Sequence, residues 1–227
     1  PCDQGVFTPF RPGARVRFVT KQVEQIEARP YHHGDLRRAL IDAGGGLLER
    51  EGIAALSLRA VAREAGVSAA APYHHFKDRA ALLGAIAHEG HVALHASMRT
   101  AFDLSTPGQD RIVAVGIAYV EFAVANPALY RLMFETTRMY DHHPDANEVE
   151  GQIPRLLAET FGARLPARKA DLDRHLAATA GWAMFRGLAD VARFRTMEPF
   201  KAILGGERAF LEAVLRRLDF SDHTQDA

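Results

Sequence analysis

Apolar residues recur at three- and four-residue steps along most of the chain. Leu36, Leu40, Ala43, Leu47 and Leu48 mark one face of an amphipathic helix, which Gly52 stops. Ser57, a good N-cap, opens a short helix with Leu58, Val61 and Ala62 on one face, and Gly66 ends it. Ser68 caps the next helix, which reaches about His75. Asp78 opens a long one that carries Leu82, Leu83, Ile86 and Val92 and ends near Phe102. After the break at Thr106-Pro107-Gly108, a helix spans about 109–125 and stops at Asn126-Pro127, and a shorter one covers about 128–136. Residues 138–147 are polar, contain Pro144 and read as a loop. Three further helical patterns cover roughly 148–162, 167–195 and 200–219. No alternating stretch of strand length is bounded by turn signals, so the pattern predicts an all-α fold of about nine helices. One feature sits badly with it. Gly44-Gly45-Gly46 falls inside the first helix, where each glycine costs ~1 kcal/mol relative to alanine.

Composition narrows the class. The 227 residues are 48% hydrophobic and 25% charged, which suits a globular chain with a sizeable core and excludes a disordered or collagen-like one. A lone cysteine, Cys2, cannot form an internal disulfide and fits a reducing, cytoplasmic setting. The longest apolar candidate for a membrane span, residues 112–125, is too short and carries Glu121; residues 1–30 lack the apolar core of a secretory signal. No membrane association is therefore expected. Charge is balanced, 28 basic against 28 acidic, which by itself does not suggest a duplex binder. Histidine is unevenly spread, with seven of eleven between His32 and His95.

The chemistry lies in two short helices joined by Glu64-Ala65-Gly66-Val67-Ser68, which have the dimensions of a helix-turn-helix. Gly66 permits the sharp turn, Val61 and Val67 can fill the angle, and an outward-facing N-terminal end offers N–H groups to phosphate. Any helical protein contains such corners. The residues around this one are more specific: Gly34-Asp35-Leu36, Ala55 through Ala62 (ALSLRAVA), Ala65-Gly66-Val67-Ser68, Pro72 through Asp78 (PYHHFKD) and Leu82-Leu83. Together, over about sixty residues from Tyr31 to Gly90, they closely resemble the TetR family of bacterial transcriptional regulators. Tyr31 through Arg37 (YHHGDLR) and Asn126 through Phe134 (NPALYRLMF) resemble one subgroup, whose C-terminal domain carries Trp-x-x-x-His-Gly. Here the matching stretch is Trp182-Ala183-Met184-Phe185-Arg186-Gly187, with arginine where histidine is usual, so no role of that histidine carries over.

Residues 1–30, with Pro1, Gly5, Pro9, Pro12 and Gly13 and no sustained periodicity, read as a flexible arm. The resemblance implies a dimeric repressor: 31–80 a three-helix helix-turn-helix head and 81–220 a larger helical domain for effector and dimerisation, with 221–227 left as a tail. Its partners would be a double-stranded DNA operator, a hydrophobic small-molecule effector and a second copy of the chain, with no cofactor. In the head, Ser57 caps the supporting helix and reaches phosphate, with Arg59 nearby. Ser68, Ala69, Ala70 and Ala71 approach base edges, and Tyr73, His74 and Lys77 touch the backbone. Alanines make no bidentate bonds to bases, so specificity rests partly on DNA shape. Arg11, Arg15, Arg17 and Lys21 would suit an arm in a minor groove, although a plain tail is the preferred reading.

Tyr119, Phe122, Tyr130, Met133, Phe134, Trp182, Phe185 and Arg186 are candidate effector contacts, each weighed against simple core packing. A buried Arg186 would need an acceptor: a ligand carboxylate, Glu121, Glu135 or Asp190. Small residues in the penultimate helical stretch, Ala178 and Gly181 among them, permit close helix approach at a dimer interface, with Phe210, Leu211, Val214 and Leu218 as its apolar seam. His88, His91 and His95 fall on one helical face, where a solvated face is preferred to a metal site. The chain has no nucleophile elbow, P-loop, paired metal motif or dinucleotide turn, so no enzyme is expected; the rival is a helical ligand carrier or adaptor that does not bind DNA.

Overall fold

A computed structural model describes residues 15–16, 33–135, 146–162 and 171–217, and all regular structure among them is helical. There are nine α-helices among the described residues: α1 (His33–Glu51), α2 (Leu58–Glu64), α3 (Arg79–Leu104), α4 (Gln109–Ala125), α5 (Pro127–Glu135), α6 (Ala146–Gly162), α7 (Asp171–Val191), α8 (Glu198–Leu204) and α9 (Glu207–Leu215). Short 3-10 turns occupy Ile53–Ala55, Ala71–His74 and Arg195–Met197.

The described residues form two compact units. One comprises residues 15–93 and 126–153, the other residues 94–125 and 154 onward, so the boundary falls inside α3 and α6. In the first unit α1 packs on α2 and α5. Its core holds Leu40, Ile41, Leu48, Leu56, Val61, Leu82, Leu83, Ile86 and Leu129, all at most 1% exposed. In the second, α4 packs on α7 and α9 around Val115, Tyr119, Phe122, Phe185 and Leu211, all fully buried.

Three expectations are corrected. The helix from Ser68 to about His75 is a single 3-10 turn, Ala71–His74, because Pro72 at its start has no N–H to donate. Ser68 contributes its carbonyl, which accepts from the Ala71 N–H at 3.0 Å, rather than a side-chain cap. The helix over 200–219 is two helices, broken at Gly205 and Gly206, whose φ values of +90° and +126° no ordinary side chain adopts readily. On α3, Val92 is 41% exposed, and Leu94 and Met98 take the inward positions.

The first glycine of the run in α1 has a packing reason. A Cβ on Gly44 would lie 2.7 Å from Ile86 Cδ1 and 3.6 Å from Val61 Cγ2, so its absence lets α1 approach α2 and α3 closely.

Candidate nucleic-acid interface

Ser57 caps α2 as its residue type suggests. Its backbone is extended, and its hydroxyl oxygen accepts from the Ala60 N–H at 3.1 Å. Leu58, Val61 and Ala62 turn inward and leave Arg59 and Arg63 exposed. The turn closes when the Val67 N–H donates to the Ala62 carbonyl at 3.0 Å, with Gly66 at φ +69°. Beyond it Ser68, Ala69 and Ala70 are exposed and Ala71 is half-buried. Pro72 and Phe76 are buried and anchor the segment from beneath, with the Arg37 guanidinium 5.7 Å above the Phe76 ring. Tyr73, His74 and Lys77 alternate with these anchors and face solvent, Tyr73 with 55% of its surface exposed. All nine proposed DNA-facing residues therefore lie on one short stretch of a single unit, and eight of them are exposed.

Ion pairs that pattern reading did not anticipate hold this framework. Arg50 Nη2 lies 2.8 Å from Glu64 Oε1 and joins the ends of α1 and α2. Arg38 reaches Asp42 on α1 and Glu89 on α3, the latter at 2.9 Å. Burial pushes the Asp42 carboxyl above its ordinary value even though Arg38 pulls it down. Arg79, the first residue of α3, donates from Nε to the Leu56 carbonyl and from Nη2 to the Ile53 carbonyl, each at 2.6 Å. No periodicity marks such a contact, since its acceptors are main-chain atoms in a connecting turn.

The proposed effector residues divide between the two units. In one, the Tyr119 and Phe185 rings lie 5.9 Å apart, Phe161 joins Phe185 at 5.6 Å, and Trp182 Nε1 donates to the Tyr119 hydroxyl at 3.3 Å. Phe122 is fully buried, while Trp182 and Arg186 are half-buried. Glu121, one of the acceptors considered for Arg186, instead accepts from Arg208 Nη1 at 2.7 Å. In the other unit, the Tyr130 and Phe134 rings meet at a tilt of 56°, 4.8 Å apart, and Met133 lies against Gly90. Of the proposed dimer residues, Ala178, Phe210 and Leu211 are buried within the single chain, Val214 is half-buried, and Leu218 lies outside the described residues. Gly181 is covered by the Phe161 ring.

A profile described as "Bacterial regulatory proteins, tetR family" matches residues 40–86, and one described as "Tetracyclin repressor-like, C-terminal domain" matches residues 112–218. The two cover more than half of the chain between them. The chain belongs to the TetR family. HTH-type transcriptional regulators of Mycobacterium tuberculosis and Mycobacterium bovis are 30% identical to it over 142 residues, which are 62% of this chain and 56% of each relative. The chain thus spans little more than half the length of the curated relatives it matches. A solved protein of unknown function from Rhodococcus sp. RHA1 is 32% identical, with a TM-score of 0.63, over 84% of this chain and 98% of that one. A bacterial regulatory protein of the tetR family from Rhodococcus RHA1 shares the fold at 20% identity and a TM-score of 0.59, over 82% of this chain and 98% of that one. The TetR-family N-terminal match contains α2, the 3-10 turn and the start of α3, and so all nine proposed DNA-facing residues.

The histidine row on α3 of this TetR-family chain is not a solvated face. His91 is 7% exposed, donates from Nδ1 to the Ala87 carbonyl at 2.9 Å, and meets the Phe134 ring edge-on at 5.6 Å. Burial lowers its pKa below the ordinary histidine value, and burial also lowers that of His95. Among the described residues no group of three or more histidine, cysteine or acidic side chains is placed to hold a metal ion. No single helix among them is long and apolar enough to cross a membrane.

Proposed function

We propose that this chain is a sequence-specific DNA-binding transcriptional regulator, a repressor released by a small hydrophobic effector. The carrying observation is the segment from Ser68 to Lys77. Its apolar residues Pro72 and Phe76 are buried, its polar and small residues are turned outward, and it lies within the stretch matched to the tetR regulators. In this reading the exposed turn enters the major groove, Ser68 to Ala71 approach base edges, and Ser57, Arg59, Tyr73, His74 and Lys77 hold phosphate. The head would be residues 31–80, with 81–220 the effector and dimerisation domain, in a cytoplasmic, non-enzymatic protein.

The candidate effector contacts are two separate groups, each within its own unit: Tyr119, Phe122, Trp182 and Phe185 with Arg186 in one, and Tyr130, Met133 and Phe134 in the other. The Trp-x-x-x-Arg-Gly stretch 182–187 supports a subgroup whose histidine has been replaced. Effector binding would favour a spacing of the two heads that no longer matches successive major grooves. Phe210 and Leu211 are already covered within the chain, so a second copy would pack on the exposed face of α7 and α8. Leu172, Leu176, Val191, Phe200 and Ile203 stand out there, with Ala180 and Ala183 between them on α7.

Selection from a random duplex library, followed by affinity measurement across a salt series, tests the reading. A palindromic site whose affinity falls steeply with salt is the expected result. A folded dimer that enriches no duplex would overturn it and favour the ligand carrier.

A further inference from the structure

We infer that Arg79 is a positioning residue for the DNA-reading turn, clamping the start of α3 to the turn that leads into α2 rather than contacting phosphate. The inference rests on the DNA-binding reading above and adds a residue which that reading leaves out.

The geometry is specific. The reading turn is held between two fixed points, the C-terminal end of α2 and the N-terminal end of α3. At the first, the Val67 N–H bonds the Ala62 carbonyl. At the second, Asp78 caps α3 by accepting from the Ala81 N–H at 2.8 Å, and Arg79 follows directly. The Arg79 guanidinium spans two carbonyls three residues apart, Ile53 and Leu56, at 2.6 Å each. Both distances are short for N–H···O bonds, as a charged donor makes them. Leu56 is 1% exposed, so the acceptor segment is itself anchored in the core, and Ser57, which caps α2, is the next residue. One side chain therefore ties together the entry to α2 and the exit from the reading turn. The Nε–Nη2 edge of the guanidinium is thus committed to main-chain oxygens, while Arg79 stays exposed and its Nη1–Nη2 edge lies outside these two bonds.

The turn itself raises the importance of this clamp. Ser68, Ala69, Ala70 and Ala71 present almost no hydrogen-bonding groups to base edges, so discrimination depends on how closely the backbone fits the groove. A loosened turn would lose specific binding while leaving charge-driven binding in place.

Arg79→Lys and Arg79→Gln separate the alternatives. Lysine keeps the charge but replaces the rigid two-nitrogen edge with a single ammonium on a flexible stem; glutamine removes the charge as well. The probes are the duplex enriched by the unsubstituted chain and a random-sequence duplex of equal length, each titrated across a salt series. The expected result is a loss of about tenfold in affinity for the enriched duplex in both variants, the worth of roughly one charge-assisted hydrogen bond. Arg79→Lys should keep the affinity for random duplex and the salt slope unchanged. Hydrogen exchange on the full chain should quicken over residues 53–58 and 68–78 in both variants and stay unchanged over α4. A phosphate contact would instead leave Arg79→Lys near normal, and Arg79→Gln would lower the salt slope by about one on both duplexes; that overturns the inference. Normal exchange over 53–78 in Arg79→Lys overturns it too. If the unsubstituted chain enriches no duplex, the DNA-binding reading falls, and the clamp stands or falls on the exchange measurement alone.

Discussion

Replacing Gly181 by alanine sets helix propensity against packing, and the structure decides which wins. Alanine in the interior of α7 should gain ~1 kcal/mol from propensity. Its methyl group, however, would lie 2.7 Å from Phe161 Cδ2 and closer still to Cε2 and Cζ of the same ring. The ring has little room to retreat. Phe161 is 3% exposed and packs on Phe185, whose own Cε1 lies 2.6 Å from where a Cβ on Gly116 would stand. Two aromatic rings thus fill the space between a glycine on α7 and a glycine on α4. Overpacking a site of this kind costs ~1–3 kcal/mol, and an approach this close belongs at or beyond the upper end, so the expected net destabilisation is about 2 kcal/mol. At roughly 2–4 °C per kcal/mol for a chain of this size, Tm should fall by about 4–8 °C. Thermal unfolding of the full chain, followed by circular dichroism at several protein concentrations, measures it. Phe161→Leu, destabilising alone by about 1 kcal/mol, should recover stability in the Gly181→Ala background, and the double-mutant cycle isolates the contact. A raised Tm, or additivity within ~0.5 kcal/mol, would refute the packing argument. A Tm loss confined to low protein concentration would show instead that Gly181 meets a partner helix, as its small size alone suggested.

Ser57→Ala should cost about 1 kcal/mol of unfolding free energy through loss of the α2 cap, and Ser57→Asn should restore most of it; denaturant titration of the three chains decides. Gly206→Ala should destabilise by ~1–3 kcal/mol, because φ +126° with ψ 177° is a backbone region nearly confined to glycine; an unchanged denaturation midpoint would mean that the α8–α9 corner relaxes freely. Stability should fall as the pH drops from 7.5 to 5.5. Unfolded histidine binds a proton near pH ~6.5, whereas native His91 and His95, with pKa values lowered by burial, resist it, so acid favours the unfolded chain. His91→Leu should flatten that dependence without abolishing it, as His95 keeps its share. Urea midpoints at three pH values test the point, and an identical pH profile in the variant would count against it.

What could be read in advance follows from where the information lies. Helices α1, α3 and α4 announce themselves because apolar residues repeat at the helical period, and Ser57 and Asp78 because a capping side chain acts on its own neighbours. The reading turn was legible as a motif but not as geometry. Ser68 looks like an N-cap, yet Pro72 four residues later removes the N–H on which a regular helix there would depend. Gly205-Gly206 lies inside an apolar pattern that continues past it, so periodicity runs straight through a corner that the backbone turns. Small residues on α7 permit close approach without saying what approaches: at Gly181 it is Phe161 of the same chain. Arg79 and Arg50, and the reach of Arg38 to Glu89, leave no local pattern because the partners are main-chain carbonyls or carboxylates on other elements.

These gaps bear on how a chain with zero net charge would bind a duplex selectively. Bulk electrostatics offers little to begin with, since 28 cations are matched by 28 anions. Several cations near the helix-turn-helix are also engaged internally: Arg38 with Asp42 and Glu89, Arg50 with Glu64, and Arg79 with two carbonyls. Arg59, Arg63 and Lys77 remain exposed beside the reading turn, together with the neutral donors Ser57, Tyr73 and His74. A reader built this way would draw the salt dependence of its affinity from these exposed cations on each of its two heads. Its selectivity would then come from the fit of an alanine-lined turn against the groove. Such a fit favours thymine methyl groups and deformable steps over any base that demands a hydrogen bond. In the proposed reading, affinity would be sensitive to small displacements of the turn, because a shape fit leaves no strong base contact to hold it in place.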